Sequence, residues 1–338
     1  VPAEIDRDYL KTRPAKALQR LVCHTFLQGR PLTTKGQWFN KVIAAQFAMA
    51  KRLPGHREPA SPILILGTGR SGTTILGKVL SMHKDCVFLN EAKALWHAAY
   101  PREDVIGTYS NAEASYVLDA SDATPDYRRS LNRLYAYSRC LAGKSALKGK
   151  SSGGRVVDKY PELIFRLPFV QAACPAMKPV LLVRNGNDTL TSITKWSQQA
   201  GVESDGRIDD WWGRDRRKWK LLVRDVVTRD ALLAKHAEVI KDFTRHEDMA
   251  AVEWIVTMRQ GLETQDEFGT HLIRFEDLCS NPRKVLAELC VFTELATDET
   301  FLAYADRTLS PVPERETAEL HPLIQPAFDG TMKQLGYA

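Results

Sequence analysis

The chain has no long apolar run and no pairing pattern among its cysteines. Over 338 residues no stretch approaches the roughly 18 apolar residues that a bilayer crossing needs. Its start, Val1 to Arg13, has neither the basic nor the apolar region of a secretory signal. A soluble chain without a transmembrane segment, acting in the cytoplasm, is therefore expected; because it starts at Val1 rather than Met, an upstream anchor is left open. Cys23, Cys86, Cys140, Cys174, Cys279 and Cys290 stand far apart with no CxxC pair, which argues against a zinc site and a dense disulfide framework. Reduced, buried thiols are expected, and no metal. One-sided charge is scarce as well. The 47 Lys+Arg against 41 Asp+Glu leave +6, too little and too evenly spread for the basic stripe of a nucleic-acid binder, so no nucleic-acid partner is expected, whereas a small anionic ligand is compatible.

What is present is an ordinary globular composition, 44% apolar and 26% charged, enough for one large core or two modest ones. Residues 14 to 52 carry two helical patterns, one with Leu18, Leu21, Val22 and Phe26, the other with Trp38, Phe39, Val42, Ile43 and Phe47. Lys41, Lys51 and Arg52 give the second a basic edge that would suit a membrane surface, but packing on the chain's own domain is the default expectation. Pro54, Gly55, Pro59 and Pro62 break the pattern. The expected division is a helical N-terminal extension, 1–59, and one further domain, 60–338.

From residue 63 short apolar runs alternate with helical segments: Ile63–Leu66, Val87–Leu89, Val156–Val157, Val180–Val183 and Leu272–Ile273. That alternation predicts an α/β fold, three layers deep, with a central, mainly parallel sheet. In such sheets ligands bind beyond the carboxyl ends of the strands, which nominates Gly67 onward, Glu91, Lys159 and Arg184 for one crevice. Residues 142–155, rich in Gly, Ser and Lys, read as an exposed loop. Gly143-Lys144-Ser145 within it imitates the end of a Walker A loop, but no strand leads into it and Ser138 stands where the first glycine is required.

The first run enters Gly67-Thr68-Gly69-Arg70-Ser71-Gly72-Thr73-Thr74, and a helical pattern follows from Thr73 to Met82. Gly67 and Gly72 occupy the glycine positions of GxxxxGK[ST], so backbone N–H groups can curl round a phosphate at the positive end of the helix. Thr73 stands where that motif has lysine. The lysine reaches β- and γ-phosphates, so its absence argues against ATP or GTP hydrolysis and for a shorter anionic tail, with Arg70 as a displaced cation. A degenerate P-loop kinase and a non-catalytic nucleotide-binding protein are the alternatives. A kinase would need the lysine and a magnesium-holding Asp at a strand end.

The string Ile65 to Thr74 resembles the 5′-phosphosulfate loop of sulfotransferases that use 3′-phosphoadenylyl sulfate (PAPS), in the Arg-containing form of tyrosylprotein and many bacterial members. The resemblance implies a P-loop-like fold, PAPS as donor and PAP as product. Arg70, Ser71, Gly72, Thr73 and Thr74 would then hold the 5′-phosphosulfate, with Arg70 also stabilising the transferring group. Arg184 and Ser192, eight positions apart after the run Val180–Val183, resemble the family's 3′-phosphate motif. A guanidinium and a hydroxyl suit a phosphate dianion. Asp158-Lys159-Tyr160-Pro161 with Phe165-Arg166 resembles the "DKxPE" segment, Arg274-Phe275-Glu276-Asp277-Leu278 the "RYEDL" segment with Phe275 in place of tyrosine, and Leu335-Gly336-Tyr337 the closing "LGY".

Sulfuryl transfer is an in-line displacement, for which cations and positioning matter most, and an acceptor hydroxyl must lose its proton to a base. By the resemblance Glu91, in Asn90-Glu91 at a strand end, is the base, and His83-Lys84-Asp85 before it resembles the family's "HPD". His97 competes, since cytosolic sulfotransferases use histidine. Lys159 is expected to protonate or polarise the leaving phosphate oxygen. Asp209 to Trp219 is dense in tryptophan and arginine and reads either as an acceptor-side lid or as a Trp-anchored helix pair with a solvated basic face. The acceptor, whether small molecule, lipid, saccharide or tyrosyl group, is not specified by these residues, and a homodimer is compatible with them.

Overall fold

The computed structural model describes residues 4–31, 35–53, 59–110, 112–142, 154–204, 207–311 and 317–337. The imitation Walker loop at 143–145 and most of the Gly- and Ser-rich stretch around it lie outside them. The chain opens with helices α1 (Arg7–Thr12), α2 (Pro14–Phe26) and α3 (Phe39–Ala50), then runs strand β1 (Ile63–Leu66), α4 (Thr73–Met82), β2 (Cys86–Asn90), α5 (Lys93–Ala99) and α6 (Pro125–Ala142). Next come β3 (Arg155–Lys159), α7 (Leu167–Ala173), β4 (Lys178–Val183) and α8 (Gly186–Ala200), then the short strands β5 (Val202–Ser204), β6 (Arg207–Asp210) and β7 (Gly213–Arg214). The last part holds α9 (Arg217–Asp225), α10 (Ala237–Ile240), α11 (His246–Phe268), β8 (His271–Arg274), α12 (Phe275–Ser280), α13 (Pro282–Phe292), α14 (Glu299–Thr308) and α15 (Gln325–Gln334).

Five strands form one sheet in the order β2-β3-β1-β4-β8, and every pairing in it is parallel. The short apolar runs became strands because both faces are covered, which removes the need for polar alternation. Side chains divide by parity: Leu64, Leu66, Leu181 and Val183 enter the core on one face, while Ile63, Ile65, Val180 and Leu182 enter the core on the other, with Leu76 and Leu80 of α4. The chain leaves β1 between β3 and β4, so the turn after Leu66 opens at the place where strand order reverses and a crevice forms. Strands β5, β6 and β7 make a separate antiparallel sheet.

Helix α4 starts without a side-chain cap, behind Gly72 in the left-handed region at φ 98°. It lies tight on β2 because Gly77 has no side chain: a Cβ there would stand 2.2 Å from the Phe88 ring. It ends where His83 turns extended and the imidazole Nε2 donates to the Ala296 carbonyl at 2.8 Å.

Two expectations need correction. Cys140 on α6 is exposed, although the other five cysteines are buried, and all six are free thiols. The apolar residues of the first two helical patterns do not all pack inward. Leu18, Leu21 and Phe26 on α2, and Trp38 and Val42 by α3, face outward. The inward face of α2 carries Lys16 and Arg20 with Ala17 and Cys23, because Lys16 Nζ reaches the Cys86 carbonyl at 2.6 Å and Arg20 the Glu4 carboxylate at 3.0 Å.

Candidate active site

The loop between β1 and α4 is bent by three left-handed residues, Gly67 at φ 138°, Arg70 at 68° and Gly72 at 98°. Neighbours pack against its backbone: a Cβ on Gly67 would stand 2.6 Å from the Leu182 carbonyl oxygen, one on Gly72 2.4 Å from the Phe275 ring and one on Gly69 2.4 Å from the Trp211 ring. These approaches fix why glycine is required at the three positions. Thr68, Ser71 and Thr73 are buried, yet Thr68 Oγ1 and Ser71 Oγ have no hydrogen-bond partner. A buried hydroxyl without a partner costs stability, and the two here lie in the turn that leads into the N-terminus of α4.

Arg70 and Arg184 converge on this turn from different strands. Arg70 Nε donates to Ser192 Oγ on α8 at 3.2 Å, and Arg184 Nη1 to the Arg70 carbonyl at 3.3 Å. Arg184 also bonds Asp188 at 3.4 Å and lies over the Phe275 ring at 4.7 Å, while its Nε is buried without a partner. Trp254 of α11 donates to the Arg184 carbonyl at 3.2 Å and so holds the strand end. Burial, then the neighbouring Arg184 charge, lowers the Arg70 pKa; Glu91 opposes them.

Glu91 follows β2 with φ at 50°, a conformation that costs a non-glycine residue about 1–2 kcal/mol. Arg70 shares that conformation, as do Asp215, Arg216 and Glu294. The Glu91 N–H donates to the Lys159 carbonyl at 2.7 Å, and the Lys159 ammonium pairs with the Glu91 carboxylate. Lys93 stands 3.6 Å from the same carboxylate. Burial acts to raise the Glu91 pKa, but the Lys159 and Lys93 charges outweigh it and hold the group down at about 2. Glu91 is thus ionised and able to accept a proton, but weakly basic while both lysines face it.

The lysines continue into a chain of charge that sequence reasoning missed. Lys93 is 3.5 Å from Glu162, Glu162 is 4.0 Å from Lys218, and Lys218 bonds Glu253 at 2.5 Å. Glu253 accepts from Trp211 Nε1 at 2.7 Å, and Lys218 lies over the Trp211 ring at 4.7 Å. Glu162 has a sequence signal, as the glutamate of the "DKxPE" resemblance; Lys218 and Glu253 have none, since their pairing joins segments 35 residues apart.

The remaining singled-out residues fall as follows. His97 lies on α5 stacked on Tyr109 at 5.2 Å, with its Nδ1 unpartnered; burial lowers its pKa against the pull of Asp104. Thr73 and Thr74 open α4. Of the tryptophans in 209–219, Trp212 and Trp219 are core residues, and Trp211 is the one against Gly69 of the β1–α4 loop. Tyr337 donates to Glu276 at 2.7 Å and stacks with Arg274 at 4.1 Å, while Glu276 accepts from the Asn185 N–H at 3.0 Å. The "RYEDL" and "LGY" resemblances therefore meet next to the Arg184 strand end.

In open parallel sheets the turn at the switch point is where ligands bind, and the N-terminus of the following helix favours an anion there. The sulfotransferase family model matches residues 62–229, about half of the chain, and the chain belongs to that family: it is a sulfotransferase. Similar solved structures are the sulfotransferase domain of the curacin biosynthetic pathway, at 17% identity, covering 84% of this chain and 99% of that one with a TM-score of 0.46, and the sulfotransferase domain of the Synechococcus PCC 7002 olefin synthase, at 17% identity, 84% and 98% coverage and a TM-score of 0.47. Sulfotransferase STF1 of Mycobacterium tuberculosis H37Rv is similar at 15% identity, with 91% and 89% coverage and a TM-score of 0.44. No curated protein matches the chain.

Proposed function

We propose that this sulfotransferase moves a sulfuryl group from PAPS to a hydroxyl or amine acceptor. The observation that carries the reading is the convergence of unpartnered buried donors, Ser71 Oγ and Arg184 Nε, on one turn beside the Lys159–Glu91 pair. The loop hydroxyls, Thr73 and Thr74 and the Arg70 guanidinium suit the 5′-phosphosulfate, and Arg184 with Ser192 suits the 3′-phosphate. Phe275, flat on Gly72 and under Arg184, would wall the nucleotide side.

PAPS supplies an activated sulfuryl group. In transfer, the acceptor oxygen forms a bond to sulfur as the bond from sulfur to the phosphate oxygen breaks, and the acceptor proton passes to Glu91. Lys159 donates a hydrogen bond to the leaving phosphate oxygen, and sharing its charge between that oxygen and Glu91 raises the basicity of the carboxylate. We assign the base to Glu91 rather than His97 because the ring of His97 is stacked on Tyr109, whereas Glu91 pairs with Lys159 and its charge acts on Arg70 of the loop. No metal is needed for this arrangement. We also propose that 1–59 acts as a helical brace on the transferase unit 60–338, in a cytoplasmic protein.

A thermal-shift panel of PAP, adenosine monophosphate, ATP and ATP with magnesium tests the donor. Selective stabilisation by PAP is expected, and a magnesium-dependent preference for ATP would overturn the assignment.

A further inference from the structure

Residues 9–57 contain ten Lys or Arg and no Asp or Glu, of which Lys16 and Arg20 are buried and Arg13 and Arg20 pair with Asp298 and Glu4 from outside the segment. The ten exceed the +6 of the whole chain, so the rest carries a small acidic excess and the charge is not evenly spread. The same segment carries an outward apolar face. Around α3, Trp38, Val42, Ala45 and Met49 are exposed at steps of four, three and four residues, one stripe of a helix, with Trp38 72% and Met49 70% accessible. Ile43, Phe47 and Ala50 take the opposite side into the core. Lys41 and Arg52, both exposed, border the stripe. At the end of α2 the Phe26 carbonyl accepts from Gln46 Nε2 of α3 at 2.8 Å, and on α2 Leu18 is 64% accessible and Leu21 and Phe26 are exposed.

We propose that this outward face of α3, with the exposed apolar residues at the end of α2 beside it, docks on an anionic lipid bilayer, lying in the interface rather than crossing it. The proposal stands apart from the transfer reaction. An amphipathic face with a terminal tryptophan, aliphatic side chains and a basic border buries its apolar atoms at the acyl boundary while the cations meet lipid phosphates and carboxylates. No helix among the described residues is long and apolar enough to cross a membrane. Charge decides among occupants. A second copy would bring one acid-free basic segment against another, and a nucleic acid would engage Lys41 and Arg52 but leave the Trp38–Met49 stripe in water, since affinity there comes from phosphate contacts.

The test is co-sedimentation of the full chain with phosphatidylcholine vesicles with and without phosphatidylserine, alongside light scattering of the free protein and a duplex-DNA binding control. Binding that requires phosphatidylserine and weakens with salt is expected. The double variant Trp38→Ser/Met49→Ser should lose at least about tenfold in partitioning, and Lys41→Gln/Arg52→Gln about fivefold per charge removed. Thermal midpoints should stay unchanged, because all four side chains are exposed. Three outcomes would overturn the proposal: no vesicle binding at low salt, equal binding by wild type and the Trp38/Met49 variant, or a wild-type dimer that this variant turns into a monomer without vesicle binding. DNA binding that exceeds vesicle binding and survives the Trp38/Met49 change would likewise overturn it, assigning the basic border to nucleic acid.

Discussion

The two walls of the cleft are built on opposite terms. On the phosphate-loop wall, Thr68 Oγ1, Ser71 Oγ and Arg184 Nε are buried without partners, each at a cost of about 1–3 kcal/mol in general. In the adjoining lysine cluster every lysine has a carboxylate: Lys159 and Lys93 on Glu91, Lys93 and Lys218 on Glu162, and Lys218 on Glu253. The first wall improves when an anion arrives. The second is already satisfied, and an arriving phosphate oxygen would compete with Glu91 for the charge of the Lys159 ammonium, which has three N–H donors to share. On the proposed reading, affinity should follow the loop wall and turnover the lysine wall.

Replacing Glu91 by Gln should separate them most sharply. Turnover with the true acceptor should fall by about 10²–10⁴, the usual contribution of a positioned base, while PAP affinity stays within about threefold, since the amide keeps its shape and no loop donor changes. Unchanged turnover would remove Glu91 from the chemistry. On the other wall, Arg184→Ala should weaken PAP by about 10–100-fold, the weight of hydrogen bonds to a charged group, and adenylyl sulfate much less. Equal losses in calorimetry would reject the 3′-phosphate role and with it the idea that the loop wall carries affinity.

How much of this was readable from residues alone follows the range of the interactions. Each strand of the large sheet was legible because a short apolar run covered on both faces is a local pattern, and the loop because Gly67, Arg70 and Gly72 lie within a single turn. The lysine wall was not legible. Lys218 and Glu253 have no local signature, and their meeting depends on how α9 and α11 pack. The outward turn of α2 was hidden for a related reason. Periodicity locates an apolar stripe but not the side that Glu4 and the Cys86 carbonyl claim by capturing Arg20 and Lys16.

Carboxylates away from the lysine wall sharpen the contrast through pH. Glu103 is buried, accepts from Tyr160 at 2.6 Å and lies 3.6 Å from Arg166, and burial pushes it up to about 8 against the pull of Arg166. An acid whose folded pKa is raised binds a proton that the unfolded chain releases near 4.5, so its stabilisation is complete below that pH and is lost as pH rises through about 8. Glu103→Gln has no proton to lose. Its stability relative to wild type should climb between pH 5 and pH 9 by up to roughly 5 kcal/mol, read as a rise in its thermal midpoint against that of wild type. Parallel curves would mean that Glu103 is charged and paired with Arg166, as Glu91 is with Lys159.

Ser71→Ala gives the smallest effect and the most direct test of the unsatisfied wall. Removing a buried hydroxyl that bonds to nothing deletes an uncompensated desolvation cost, and the methyl fills nearly the same space beside Gly67, whose hypothetical Cβ lies 3.3 Å from Ser71 Oγ. The free protein should therefore gain up to about 1 kcal/mol and melt slightly higher, while the rise in melting temperature on adding PAP shrinks, because one donor to the anion is gone. Stability and ligand response moving in opposite directions is what separates a receptor from a structural turn. A lower melting temperature for the free variant would show that Ser71 already serves the fold, and the difference between the two walls would disappear at that residue.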